Sequence, residues 1–320
     1  MKKVIFNYYV VKVDKTMVEL SNGYKIPNIC YGTGIVWNCR YEGGGELRRI
    51  YREKRYIANN VLHNRKQIKK DNGFIKAIKT SMNCGCNMFD TSSAYAGAEY
   101  YLGKTLQKYN RSDYYICDKV KNYDQYHHNV RGAFEKSLKE LGTDYMDVYL
   151  LHWPVEGMFE ESWKELERLY EEKLVKAIGV SNFNIHHLKR LENIGNVCPL
   201  VNEFECHPLF TQNELREYCR ENKIQVMAYT ATARGDERLR KTVISDLAGK
   251  YNKTINQIII RWHQQVGNIP IINSYNSLHV KENSMVSDFD LSDDEVKAIN
   301  NVNINSRLRY DPDNCDFTKL

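Results

Sequence analysis

The chain has 320 residues, 42% of them hydrophobic and 12% aromatic, enough to bury a sizeable core and too much for a disordered polymer. Its 46 lysines and arginines against 40 acids leave a net charge of +6, too mild to imply nucleic acid or a membrane surface by itself. Nine cysteines, odd in number and irregularly spaced, argue against a disulfide framework and for a cytoplasmic, reducing setting, and no apolar run approaches the ~18 residues that would span a bilayer.

The opening MKKVIFNYYVVKV is broken by Asn7 and Lys12 and is not followed by a small-residue cleavage site, so it reads as an extra strand or tail rather than a targeting segment. Next comes VELSNGYKIP, a hairpin with Asn22-Gly23 as a two-residue turn. Eight short apolar runs then recur: NICYG, NMFDT, YYICDKV, DVYLLHW, VKAIGVS, LVNEFEC, QVMAYT and IPIIN. Between most of them lie stretches with helical spacing, such as VRGAFEKSLKELG, where Val130, Phe134, Leu138 and Leu141 recur every three or four residues, and SWKELERLYEEKLV. Strands that are apolar throughout are buried on both faces, and strands alternating with helices make a parallel sheet. The expected fold is therefore an α/β protein, a (β/α)8 TIM barrel forming one domain over residues 1–320, with an N-terminal β-hairpin and a long insertion after the first barrel strand. A doubly wound sheet fits less well, because Gly32-Thr33-Gly34 follows the first strand but no G-x-G-x-x-G opens a helix.

In such a barrel the chemistry sits on the rim at the C-terminal ends of the strands. Asp90, Tyr95, Lys119 and His152 all fall at or just past strand ends. A carbonyl that accepts hydride gains negative charge on oxygen, so a proton donor must already be aimed at it. Tyr95 is the candidate donor, but a phenol with a pKa near ~10 needs help. Lys119 would supply a stabilising charge that lowers the phenol's pKa, Asp90 would keep that lysine charged and oriented, and His152 would orient the carbonyl.

Together these residues resemble the aldo-keto reductase family, from about Val18 to Asp313, through DTSSAYAGAEYYLG, the Lys119 strand, LGTDYMDVYLLHWP, AIGVSNFN, VNEFECHP and VKEN followed by DFDLS. The resemblance implies that Asp90, Tyr95, Lys119 and His152 form a catalytic tetrad. It implies that a nicotinamide cofactor, NADPH or NADH, is held by Ser181, Asn182 and position 203 with its ring on Tyr229. Further cofactor contacts are implied at Gly32, Thr33, Gly34, Thr230, Thr232, Arg234, Asn273, Ser274, His279 and Asn283, and substrate contacts at Trp37 and Trp153. The implied reaction is hydride transfer between cofactor and a small-molecule carbonyl or alcohol, with Tyr95 as general acid/base. An alternative from the same family is a cofactor-binding regulatory or scaffold subunit with little turnover.

Three departures from the family pattern stand out. Position 203, usually glutamine, is Glu203; an ionised glutamate accepts hydrogen bonds only, and its charge would favour oxidised nicotinamide unless a nearby lysine or arginine pairs with it. Where the family grips a 2′-phosphate with lysine and arginine, this chain has Asn273 and His279, with Ser274, Asn276 and Asn283 as neutral partners, which weakens the expected NADPH preference. The same altered grip extends to the pyrophosphate loop, which reads TATARG and leaves Arg234 as a phosphate contact.

The third departure is the insertion over residues 38–70, with ten basic residues against three acids, an excess larger than the net charge of the whole chain. Leu47, Ile50, Tyr51, Ala58, Val61 and Leu62 after Gly43-Gly44-Gly45 read as an amphipathic helix. A solvated face, a lid drawing in an anionic substrate or cofactor phosphate, and a docking surface are the competing readings; no membrane partner is expected, and interleaved tyrosines alone do not establish nucleic-acid binding. No metal is expected: Cys84-Gly85-Cys86 lacks a second ligand pair, and Cys206-His207 belongs to the ECHP motif. His127-His128 and His186-His187 read as exposed turns or helix starts.

Overall fold

The computed structural model describes residues 16–34, 65–95 and 97–317. The N-terminal tail, Trp37 and most of the basic insertion, with its amphipathic helix, lie outside the described residues.

Strands β1 (Met17–Glu19) and β2 (Lys25–Pro27) pair antiparallel as the expected hairpin. Its turn is longer than the two residues expected. Leu20 and Tyr24 still exchange a backbone bond, so the loop is Ser21-Asn22-Gly23, and Gly23 takes φ 83°, a left-handed conformation that side-chain-bearing residues resist.

The eight apolar runs are eight parallel strands: β3 (Cys30–Gly32), β4 (Met88–Asp90), β5 (Tyr115–Val120), β6 (Met146–Leu151), β7 (Val175–Ser181), β8 (Val201–Glu205), β9 (Gln225–Tyr229) and β10 (Ile269–Ile272). They close in chain order, β10 pairing back onto β3, to give the (β/α)8 barrel. Val130, Phe134 and Leu141 turn inward on the helix Val130–Leu141, as their spacing requires. The following helix, Phe159–Glu171, ends before the apolar stretch that was read as part of it, because Lys173 turns left-handed and Val175 already belongs to β7. Residues 65–70, read as the end of the insertion, are the first turns of the helix Arg65–Asn83.

Side chains alternate across each strand, and here both faces are buried. One set, including Tyr31, Phe89, Ile116, Tyr149, Ile178 and Val226, packs outward under the helices. The other, including Cys30, Met88, Cys117, Val148, Leu150, Ala177, Val201, Met227 and Ile269, fills the barrel, and Leu20 and Ile26 of the hairpin join it. The eight cysteines among the described residues are free, and no described helix is long and apolar enough to cross a membrane.

Candidate active site

Following the inward alternation one step further along each strand changes its chemistry. Met88 leads to Asp90, Cys117 to Lys119, Leu150 to His152, Val201 to Glu203 and Met227 to Tyr229. The apolar interior thus ends in a polar layer at the C-terminal rim, and register sets Ser181 beside Glu203 and Gly32 beside Asp90.

Lys119 is fully buried at the centre of this layer. Its ammonium donates to Asp90 Oδ1 and to the Thr91 carbonyl at 2.9 Å, and lies 3.3 Å from Glu203 Oε2. Burial works against its charge, but Asp90 and Glu203 outweigh that and hold the lysine well above its ordinary pKa. The ammonium lies 5.5 Å from the centre of the Tyr95 ring. His152 meets that ring edge-on, centroids 5.7 Å apart at 84°. Gly34 leaves the space above Tyr95 open, since a Cβ there would come within 3.1 Å of the tyrosine Cζ.

Lys119 does act to bring the phenol's pKa down, as expected, but it does not prevail. Burial raises Tyr95 above the ordinary tyrosine value, and although Lys119 pulls it back, Asp90 and Glu203 push the same way as burial. The lysine's charge is spent chiefly on Asp90, to which it donates. Glu203 meets the nearby-lysine alternative, with Lys119 Nζ 3.3 Å from its Oε2, while burial first, then Asp90, raise its pKa to about 8 against the pull of Lys119. At neutral pH it is therefore mainly protonated, and like glutamine it both donates and accepts. Its Oε2 has no hydrogen bond, so the ammonium beside it stands out of line. Asp90, Cys117 and Glu203 offer ligand atoms within 4.8 Å of one another, but the cation among them is Lys119 itself.

His152 is held well below its usual pKa by burial, with Lys119 and Arg309 adding to the effect, so the ring is neutral. Ser92, overlooked in the sequence although it lies inside DTSSAY, places its Oγ 3.1 Å from His152 Nδ1. Its single hydrogen goes either there or to the Lys119 carbonyl at 3.2 Å. When it goes to Nδ1, the ring proton sits on Nε2, where it can be donated to a carbonyl oxygen.

Asn182, just past β7 in the left-handed conformation at φ 66°, ties the next groups to this cluster. Its amide donates to the His152 carbonyl at 2.9 Å and to Ser181 Oγ at 3.1 Å, and its oxygen accepts from the Tyr229 hydroxyl at 2.6 Å. The Ser181 hydroxyl hydrogen and one lone pair of Asn182 remain for a donor-acceptor pair such as a carboxamide, with Glu203 beside Ser181 in register. These groups fit a nicotinamide.

Beyond β9, Thr230, Ala233 and Arg234 all take positive φ, a costly run for side-chain-bearing residues and one often found at binding loops. Thr230 and Thr232 are half-buried there, and Arg234 is exposed. Thr33 is buried at the end of β3 with its hydroxyl unpartnered. Beyond β10, Asn273 and His279 are exposed, Ser274 Oγ accepts from the Asn276 amide at 3.0 Å, and Asn283 lies on the buried face of the helix Ser277–Ser284. Trp153 is nearly buried beside His152, and its ring lies 6.2 Å from that of Phe317, a residue no motif pointed to. Of the histidine pairs, His127 and His128 are exposed as expected, whereas His187 is buried, where its Nδ1 accepts from the Asn184 amide at 3.1 Å to cap its helix.

A closed parallel barrel whose inner face ends in a lysine-centred tyrosine and histidine cluster, next to the Ser181 hydroxyl and Asn182 amide, has the form of a nicotinamide-dependent oxidoreductase. The model for the aldo/keto reductase family matches residues 62–304, and the chain belongs to that family. It is 41% identical over 257 residues to an uncharacterized oxidoreductase of Bacillus subtilis (strain 168), covering 78% of this chain and 91% of that protein. It is 40% identical over 244 residues to a methylglyoxal reductase of Escherichia coli (strain K12), covering 75% of this chain and 88% of that one. An aldo-keto reductase of Bombyx mori solved with NADP superposes with a TM-score of 0.76 at 27% identity, covering 93% of this chain and 95% of that chain. The protein is accordingly an oxidoreductase that moves hydride between a nicotinamide cofactor, NADPH or NADH, and a carbonyl or alcohol.

Proposed function

We propose that Asp90, Tyr95, Lys119 and His152 carry out reduction of a small carbonyl compound, the class to which the methylglyoxal and glyoxal named for two relatives belong. The observation that carries this reading is the buried Lys119 ammonium, fixed by Asp90 and the Thr91 carbonyl within 5.5 Å of the Tyr95 ring centre while His152 meets the same ring edge-on. When bound, reduced nicotinamide supplies the hydride. Ser181 and Asn182 would hold its carboxamide, Tyr229 would support its ring, and Thr33 would add a hydroxyl at the rim. His152 would donate from Nε2 to the carbonyl oxygen and fix its position, Tyr95 would pass its hydroxyl proton to that oxygen as charge develops, and Lys119 would stabilise the resulting phenolate. Alcohol oxidation would use the same groups in reverse.

The test is Tyr95→Phe, assayed with methylglyoxal in the presence of NADPH and of NADH. Removing the proton donor should lower kcat by about 100-fold or more while cofactor binding persists. A variant as fast as the wild-type protein would remove Tyr95 from the mechanism.

A further inference from the structure

Glu203 lies on β8, the strand between the two that carry the proposed nicotinamide contacts. Register sets it beside Ser181 of β7 on one side and Met227 of β9 on the other, and the next inward residue of β9 is Tyr229. A ring supported on Tyr229, with its carboxamide at Ser181 and Asn182, would have the Glu203 carboxyl as a neighbour.

That carboxyl is buried, and its Oε2 stands 3.3 Å from the Lys119 ammonium. The other groups facing it are Asp90 from β4, Cys117 from β5, Cys30 from β3, and the phenols of Tyr95 and Tyr229. Glu205, two residues further along β8, is engaged instead by His207 at 3.0 Å and by the amides of Leu308 and Arg309. Burial keeps the two thiols and two phenols neutral. The charges that remain are the Asp90 carboxylate and the Lys119 ammonium, which bond to each other and cancel. An ionised Glu203 would therefore leave one uncompensated negative charge in a layer shut off from water. An oxidised nicotinamide ring carries one positive charge and a reduced ring carries none. The oxidised ring is thus the counter-ion that an ionised Glu203 lacks.

We propose that Glu203 couples a proton to the redox state of the cofactor: its carboxyl stays protonated beside a reduced nicotinamide and gives up that proton to solvent when an oxidised one binds. Glutamine has no titratable proton, so the coupling belongs to this chain's departure from the family pattern at position 203. It rests on the nicotinamide placement proposed above, whatever the carbonyl substrate. Coupling is reciprocal: if NADP+ expels a proton on binding, raising the pH must strengthen NADP+ binding relative to NADPH. Alkaline conditions would then favour alcohol oxidation.

The test is proton release on binding, measured by isothermal titration calorimetry at neutral pH in phosphate and in Tris, whose ionisation enthalpies differ. The 2′-phosphate is common to NADP+ and NADPH, so the difference between their proton numbers reports the ring. Wild-type protein should release on the order of one proton more with NADP+ than with NADPH, and Glu203→Gln should bind both with no such difference. Affinity of the wild-type protein for NADP+ relative to NADPH should also rise by up to about tenfold per pH unit below about 8 and level off above it, which decides the matter if the variant does not fold. Equal proton numbers, a ratio flat with pH, or a difference that survives in Glu203→Gln would each overturn the coupling and leave the reductase reading, tested at Tyr95, standing. Failure of the wild-type protein to bind NADP(H) or NAD(H) at all would overturn both.

Discussion

Glu203 Oε2 stands 3.3 Å from the Nζ of Lys119, whose other two N–H groups are accounted for by Asp90 and the Thr91 carbonyl. An ammonium has three donors, so the third lies between Glu203 and the Tyr95 ring, whose centre is 5.5 Å away. Below about 8 the Glu203 carboxyl is protonated and competes weakly; above it the carboxylate draws the ammonium away and makes Tyr95 a poorer acid. Carbonyl reduction should therefore slow as pH rises through about 8, and Glu203→Gln should flatten that limb. Profiles of kcat/KM over this range decide it, and identical limbs in both proteins would exclude Glu203 as the titrating group.

The same residue should leave a mark on folding stability. Its folded pKa, about 8, exceeds the ordinary glutamate value of 4.5, so the native state holds a proton that the unfolded chain releases between those limits. Native stability relative to Glu203→Gln should therefore be greatest below 4.5, fall as pH rises toward 8, and level off above, by on the order of a few kcal/mol in all. Denaturant titrations at several pH values measure the difference. A constant offset between the two proteins would mean that the carboxyl is not protonated by its burial.

The barrel was legible because each strand is a short apolar run closed by turn residues, a pattern that burial on both faces imposes. Site residues could be read at the strand ends for the same reason: parity carries Cys117 to Lys119 and Val201 to Glu203 on one inner face. Parity cannot report ionisation, however. That Glu203 is mainly protonated and Tyr95 raised depends on how many charges share one dry space, and this emerges only when β4, β5 and β8 stand together. The segment whose Leu308 and Arg309 amides donate to Glu205 was invisible because these bonds run from backbone amides to a carboxylate some hundred positions away, with no periodic signal.

Ser92 is expected to act as a positioning residue through His152. Without its hydroxyl the neutral imidazole loses the partner that can keep the proton on Nε2, so donation to the substrate oxygen becomes less frequent. Ser92→Ala should reduce kcat/KM for carbonyl reduction on the order of tenfold, and Ser92→Thr should restore most of it. Nitrogen-15 shifts of the His152 ring give a readout independent of rate, since they report the tautomer directly. A ring tautomer unchanged by Ser92→Ala would place the control elsewhere.

Cofactor choice should follow from the ends of β10 and the helix after it. Asn273 and His279 are exposed there, and Asn276 spends its side-chain oxygen capping the Leu278 amide at 3.0 Å, so neither position offers a 2′-phosphate a lysine or arginine. A phosphate near two negative charges gains most from permanent cations, and solvent screening trims what any exposed partner contributes. NADPH should accordingly bind no more than about tenfold more tightly than NADH, and Asn273→Lys should raise NADPH affinity several-fold while leaving NADH nearly unchanged. Fluorescence titration of both dinucleotides against both proteins checks the two statements together. A wild-type preference for NADPH of about a thousandfold or more would mean that a cation from another part of the chain reaches the phosphate, and Asn273→Lys would then add little.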